Sequence, residues 1–371
     1  MSRMSRPPLH RPLLLPGLPR IWRGRTTLQV GLHPGRAILL DLPDPATAKI
    51  LDLLDGTRPE RAILRAAGTL DLSPADVRAL LDVLHETGLV ISTQRLYPPA
   101  LDAPSRALLL SEATALALAA DSRQPRFAPP ALILRRRRSA RIVVTGRGRL
   151  GAGIAVGLAE AGIGHVQADL PGPVGLVERI GGPLREAGVG TDRKHAVAQA
   201  IGRAAPSTDT RSIRRGTATL VVQLCHDQPV ALLALAYLQH RQPYLAVSVR
   251  EGAAVIGPLV PPGGRPCLNC LALFRQQPPA ADPAPAGSDP AGAGPSELMM
   301  SGPEPLAVAT ALAASGYAVA EVLKFVDGTA TETIGAEIEV SAPGRIRRRR
   351  WKPHPHCVCG QSRRWPEGQK P

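Results

Sequence analysis

Apolar positions along the chain switch between a two-residue and a 3.6-residue period, and the switches outline the elements. Residues 26–30 and 37–42 read as two short strands joined by the turn His33-Pro34-Gly35, a hairpin. Further on, Val77, Leu80, Leu81 and Leu84 recur at helical spacing, with Ser73 placed to cap, Pro74 at the first helical position and Gly88 as the stop. The spacing predicts a helix over residues 74–87. Ile50, Leu53 and Leu54, then Ile63 and Leu64, supply apolar faces for two shorter helices before it. A small winged-helix-like α+β module over residues 26–95 follows, behind a flexible N-terminus of residues 1–25. Residues 96–139 form a linker helix and a basic linker, with the connecting helix over 101–120, and residues 140–371 form the main domain. Within that domain residues 276–294 are nearly all Pro, Ala, Gly, Asp and Ser, a composition that cannot bury enough apolar surface to order itself and predicts a disordered loop.

The chain has 371 residues, of which 44% are hydrophobic and only 3% aromatic, so aliphatic side chains must fill its cores. A formal charge of +15 raises the question of nucleic acid. Much of the excess is concentrated in two runs, Arg135–Arg138 and Arg347–Arg350, which read as solvated charge at a domain edge. The basic N-terminus holds Leu13, Leu14 and Leu15 between Pro12 and Pro16, with no apolar core of signal-peptide length. The longest uncharged apolar stretch, residues 306–320, is too short to span a bilayer. These features predict a cytoplasmic protein without a membrane partner, in which five cysteines serve metal rather than disulfides.

Residues 141–145 form an apolar strand that runs into Gly146-Arg147-Gly148-Arg149-Leu150-Gly151 and then a helix. In that context the first glycine permits the tight turn, the second lets backbone approach a phosphate, and the third lets helix pack on strand. The helix N-terminus would attract the phosphate. A second strand over residues 165–168 ends at Asp169, where a carboxylate ordinarily holds a ribose hydroxyl. The pattern predicts a Rossmann-like α/β domain with a mostly parallel sheet and helices on both faces. The turn alone also accounts for the glycines, so nucleotide binding is a separate question.

Cys267 and Cys270 form one knuckle and Cys357 and Cys359 another. Four thiolates in two close pairs match a closed tetrahedral zinc site with no open position for chemistry, structural in role, which would tie the C-terminal tail across the loop. Its charge of about −2 could be offset by Arg347–Arg350. His354 and His356 are substitute ligands that four sulfurs make unnecessary, and Cys225 reads as a small buried hydrophobe.

This order of features, a glycine turn, an acidic second strand, a C-x-x-C, an Ala-rich helix and a final cysteine pair, resembles the ThiF/MoeB family over about residues 140–360. These relatives of the ubiquitin-activating enzymes adenylate the C-terminal carboxylate of a small protein or peptide. The resemblance implies ATP on Gly146, Gly148, Gly151 and Asp169, with Arg193 on the phosphates beside Lys194, and magnesium on Asp227 or its neighbour His226. It makes Arg193 and Asp227 the catalytic candidates and a homodimer an expected assembly. Residues 306–328, with Glu321, Lys324 and Gly328, resemble the family's late helix. The family's Asn and Arg-Gln pair after the second strand has no counterpart except Arg179, so the nucleotide machinery reads as incomplete.

The N-terminal module is similar to peptide-recognition elements of ribosomal peptide (azoline) modification, found in partner proteins of cyclodehydratases. Such modules take a leader peptide as an added strand on a sheet edge, and Val30 with the strand over 37–42 is the candidate edge. The leading expectation is therefore a protein of bacteriocin-type biosynthesis that binds a precursor peptide and presents it to a cyclodehydratase-like enzyme, its own ATP chemistry weak or lost. One alternative is an active ATP-dependent adenylyltransferase. Another is a DNA-binding regulator with a nucleotide sensor, but the 74–87 helix sets Arg78 alone against Asp76, Asp82 and Glu86, a poor balance for lying on phosphates.

Overall fold

The computed structural model describes residues 7–42, 44–119, 128–213, 218–225, 228–276 and 304–363. It divides into two compact units, Met1–Arg136 and Arg137–Pro371.

In the first unit β1 (Pro12–Leu14) pairs antiparallel with β5 (Val90–Ser92), while β2 (Arg20–Trp22), β3 (Thr27–Val30) and β4 (Ile38–Asp41) form an antiparallel sheet in that order. The anticipated hairpin is β3–β4, with Thr27 opposite Asp41. Between β4 and β5 lie a 3-10 helix (Pro45–Leu53), α1 (Glu60–Gly68) and α2 (Pro74–Glu86). Helix α2 starts where Ser73 Oγ accepts from the Ala75 N–H at 3.3 Å and buries Val77, Leu80, Leu81 and Leu84. These side chains pack with Leu14, Leu28, Val30 and Leu40 in one core.

The stretch expected to be a flexible N-terminus differs from residue 7 onward. It carries β1 and β2, because Leu14 and Leu15 are buried and proline brackets do not prevent a three-residue edge pairing. The expected linker is likewise folded: α3 (Thr93–Leu96), α4 (Ala103–Leu108), α5 (Leu110–Ala119) and the start of α6 (Pro130–Ser139) share a second small core with Leu15, formed by Leu96, Tyr97, Leu101, Leu109, Ala113 and Leu134.

The second unit is built on a seven-stranded sheet. Its strands are β6 (Arg141–Thr145), β7 (His165–Asp169), β8 (Leu220–Gln223), β9 (Tyr244–Arg250), β10 (Ala253–Val260), β11 (Ala336–Ala342) and β12 (Arg345–Arg350), in the order β12-β11-β10-β9-β8-β6-β7. β7, β6, β8 and β9 are mutually parallel, and β10, β11 and β12 continue as an antiparallel meander, so five of the seven strands run one way.

Alternating residues face opposite layers. Ile142, Val144, Leu220, Val222, Leu245 and Ile256 pack with α7 (Leu150–Glu160), α8 (Arg193–Ala204) and α11 (Val308–Asp327). On the other face Val143, Val221, Tyr244 and Val260 meet Tyr237 of α9 (Val230–Gln239) and Leu268 of α10 (Leu268–Gln276). After α8 the chain touches the outer edge of β7 through a parallel bridge at His165–Asp209, then crosses back to β8. The strand order therefore reverses between β6 and β8, the position at which open α/β sheets form their ligand crevice.

Two expectations change. The apolar stretch read as too short to cross a bilayer belongs to a 20-residue helix that is long and apolar enough by length and composition. It is a helix of the core here: Ala314, Ala318 and Val322 are buried, and its glycine-facing side packs on α7, with Ser315 against Gly153 and Val319 against Gly157. The Arg135–Arg138 run is not wholly solvated either. Arg137 is 3% exposed and grips Asp327 at the end of α11 through two bonds of 2.9 and 2.7 Å, while donating to the Ala161 carbonyl at 3.1 Å. A helix places one residue in four on the buried face, whatever charge its neighbours carry.

Candidate nucleotide and metal sites

The glycine turn lies at the C-terminal end of β6, at the reversal of strand order. Gly146 has φ +106° and Gly148 φ +134°, both outside the range comfortable for other residues. A Cβ on Gly146 would come within 2.6 Å of the Cys225 carbonyl oxygen, and one on Gly151 within 2.7 Å of Leu224 and 2.9 Å of Leu170. Close strand–turn–helix packing thus accounts for two of the three glycines without a ligand.

Gly148 faces a different neighbour, the carboxylate of Glu304, at 3.1 Å from a built Cβ. One oxygen of that carboxylate accepts the Arg149 backbone N–H at 2.8 Å, at the N-terminus of α7. Arg149 in turn fastens the same strap, its guanidinium donating to the Leu306 carbonyl at 2.7 Å and to Ile180 at 3.2 Å. An acidic side chain of the chain itself therefore sits where the helix dipole and free N–H groups would draw a phosphate. The crevice beside it is lined by Arg147, Leu224, Cys225, Val247 and Ser248.

Asp169 ends β7 with its carboxylate 55% exposed, and its backbone carbonyl accepts from Gly146 N–H at 3.2 Å, so acid and turn are adjacent. Lys194 Nζ lies 3.6 Å from Asp169 Oδ1. Arg193, beside it on α8, points elsewhere: its guanidinium holds the Pro171 carbonyl, the Pro173 carbonyl at 2.7 Å and Glu178 at 2.8 Å. Arg179 donates to the Arg185 carbonyl at 3.1 Å. His226 and Asp227 lie outside the described residues. Gly146, Gly148, Gly151, Asp169 and Lys194 are thus brought together, whereas Arg193 braces the loop after β7. Glu304 was not anticipated, since nothing in its local sequence marks it, and only the return of the chain to the turn gives it a role. Cys225, expected to be buried, is exposed at the crevice.

The four cysteines converge as their spacing predicts. Cys267 and Cys270 at the start of α10 and Cys357 and Cys359 in the tail are at most 6% exposed, and their sulfurs all lie within 4.8 Å of one another. The Cys267–Cys270, Cys267–Cys357 and Cys270–Cys359 separations are 3.8, 3.5 and 3.4 Å. A tetrahedral ion with metal–sulfur bonds of about 2.3 Å needs edges of about 3.8 Å. Hydrogen bonding to Cys270 and Cys359, with burial, pushes the Cys267 thiol up, so its thiolate is disfavoured here unless a cation offsets the charge. Asn269 Nδ2 approaches Cys357 Sγ at 3.5 Å, a further donor to a sulfur ligand. His354 is buried against Phe274, not among the sulfurs' group, with ring centroids 4.6 Å apart. The donors fit a closed four-sulfur metal centre.

No protein-family model matches the chain, and no curated protein is similar to it in sequence. Solved structures share its fold. The crystal structure of E. coli MccB superposes with a TM-score of 0.55 at 18% identity, covering 94% of this chain and 96% of that one. The complex of E. coli MccB with ATP gives 0.58 at 16% identity, over 94% and 99%. The structure of PaaA gives 0.59 at 14% identity, over 90% and 98%. MccB is described as a microcin C7 biosynthetic enzyme and has also been solved with N-formylated MccA.

Proposed function

We propose that this chain is a ThiF-like protein of ribosomal peptide modification that binds a precursor peptide and presents it to a modifying partner enzyme, with its own ATP chemistry weak or lost. The observation that carries the ATP part is Glu304 at the glycine turn, an internal carboxylate competing for the N–H groups a nucleotide phosphate would use. Arg193, committed to Glu178 and two carbonyls, supports the same reading. Peptide binding is supported by the fold shared with MccB, which has been solved with MccA, and by β4, whose outer edge has no strand partner among the described residues. β4 is the proposed receiving edge, with Leu39 65% exposed on it; Val30, expected beside it, is on the central strand β3, paired on both sides and buried, and offers no edge. The partner is a cyclodehydratase-like enzyme and the working assembly a homodimer in a cytoplasmic setting. The four-sulfur centre holds zinc, which supplies no reaction step; Cys267, Cys270, Cys357 and Cys359 are its ligands.

A second reading, adenylation of a peptide carboxylate, is favoured by the MccB–ATP complex and by the meeting of Asp169 and Lys194 beside the turn. In that reading Gly146, Gly148, Gly151 and Asp169 hold ATP, Lys194 and a released Arg193 meet the phosphates, and Asp227 takes magnesium. Calorimetry of the zinc-loaded protein with ATP and magnesium separates the two. Silence at millimolar nucleotide supports peptide presentation, and micromolar binding abolished by Asp169→Ala overturns the loss of ATP chemistry.

A further inference from the structure

The sheet of the second unit ends on an edge unlike an ordinary one. Strand β12 is the terminal strand, all six of its residues are exposed, and five of them are arginine. Charged side chains guard a sheet edge against aggregation, but five arginines in six residues concentrate one sign of charge along the whole edge.

The register shows which arginines stand opposite a carboxylate. Arg347 and Arg349 stand opposite Glu339 and Glu337 on β11, and Arg349 also lies 3.9 Å over the Trp351 ring. On the other face Arg348 and Arg350 stand opposite Ile338 and Ala336, which offer no charge, and Arg348 reaches the Glu332 carbonyl at 2.7 Å. Successive side chains of a strand alternate between faces, so positive charge is displayed above and below a row of main-chain donors and acceptors with no strand beyond it among the described residues.

We propose that the outer edge of β12 receives an acidic peptide segment in extended form, added as an eighth strand whose carboxylates, carried at neighbouring positions, meet the arginines on both faces. Main-chain pairing supplies the affinity and bidentate guanidinium–carboxylate contacts the selectivity. A second copy of the chain is a poor occupant, since its own edge would set arginine against arginine. A nucleic-acid backbone would engage guanidinium groups on one face and leave the strand edge unused. This edge lies in a different unit from β4, so the proposal stands apart from precursor binding there.

The test is fluorescence anisotropy of the full-length, metal-loaded protein with a labelled peptide of about ten residues built from Glu-Glu-Thr repeats, which place carboxylates on both faces of an extended strand. A companion peptide carries N-methyl groups on alternate residues, which keep its charge but remove main-chain pairing. Saturable binding of the first peptide is expected, weakened about ten-fold or more by N-methylation and lost in R348E/R350E. The milder R348K/R350K, which keeps charge and removes the fork, should weaken binding partially, and it stands in should the reversal fail to fold. Equal binding of the two peptides, undiminished binding by the variants, tighter binding of single-stranded DNA of the same charge, or no binding would each overturn the proposal.

Discussion

Glu304 and Arg137 are charged residues whose roles come from where the chain returns to itself. Glu304 supplies an anion to the α7 N-terminus, a charge-assisted bond of about 1.5–3 kcal/mol. Removing it should unmask the N–H groups: Glu304→Ala is expected to raise ATP affinity about ten-fold or more in calorimetry, and an unchanged affinity would mean that the carboxylate does not compete. Arg137 and Asp327, 3% and 8% exposed, form a bidentate buried pair. Taking away one partner leaves an uncompensated buried charge, so Arg137→Ala should lose about 3–5 kcal/mol in urea unfolding. A leucine–methionine replacement of both residues should recover much of that loss. Neither role could be read from the local sequence, because a run of four arginines does not say which one the helix turns inward.

Among the elements, the strand–turn–helix from β6 through α7 was the most legible part of the chain, since apolar run, spaced glycines and helix follow one another directly. What the pattern could not separate is a glycine kept for a ligand from one kept for packing. Gly146 and Gly151 have packing reasons, a carbonyl at 2.6 Å and leucine methyls at 2.7 and 2.9 Å. Gly146→Ala should therefore destabilise by about 1–3 kcal/mol in thermal or urea unfolding whether or not nucleotide is added; a stability loss seen only with ATP would return the residue to the binding site. The strands β1, β2 and β5 escaped the sequence reading because three-residue strands carry too few positions to show alternation. Helix α2, with four apolar positions on one face and a capping serine, had enough.

For the whole molecule, the four-sulfur cluster brings the start of α10 to the tail, the two lying on either side of α11, β11 and β12 in the chain. Binding free energy of a structural metal is folding free energy. Chelation, or Cys357→Ser, should release the metal and lower stability by about 3 kcal/mol or more, roughly 6–12 °C in Tm, measured by calorimetric melting alongside metal content. Retention of metal and Tm in the variant would show that Cys357 is not a ligand. The sequence by itself determined the α/β class, the glycine turn, helix α2, the β3–β4 hairpin and the two cysteine pairs that converge, because periodicity, capping and paired cysteines are local signals. Tertiary structure alone decided that Glu304 fills the turn, that Arg193 braces a loop, that Arg137 is buried and that β12 is a free arginine edge. Each of those depends on contacts or strand order between segments far apart in the chain, and no local pattern encodes which distant residue arrives.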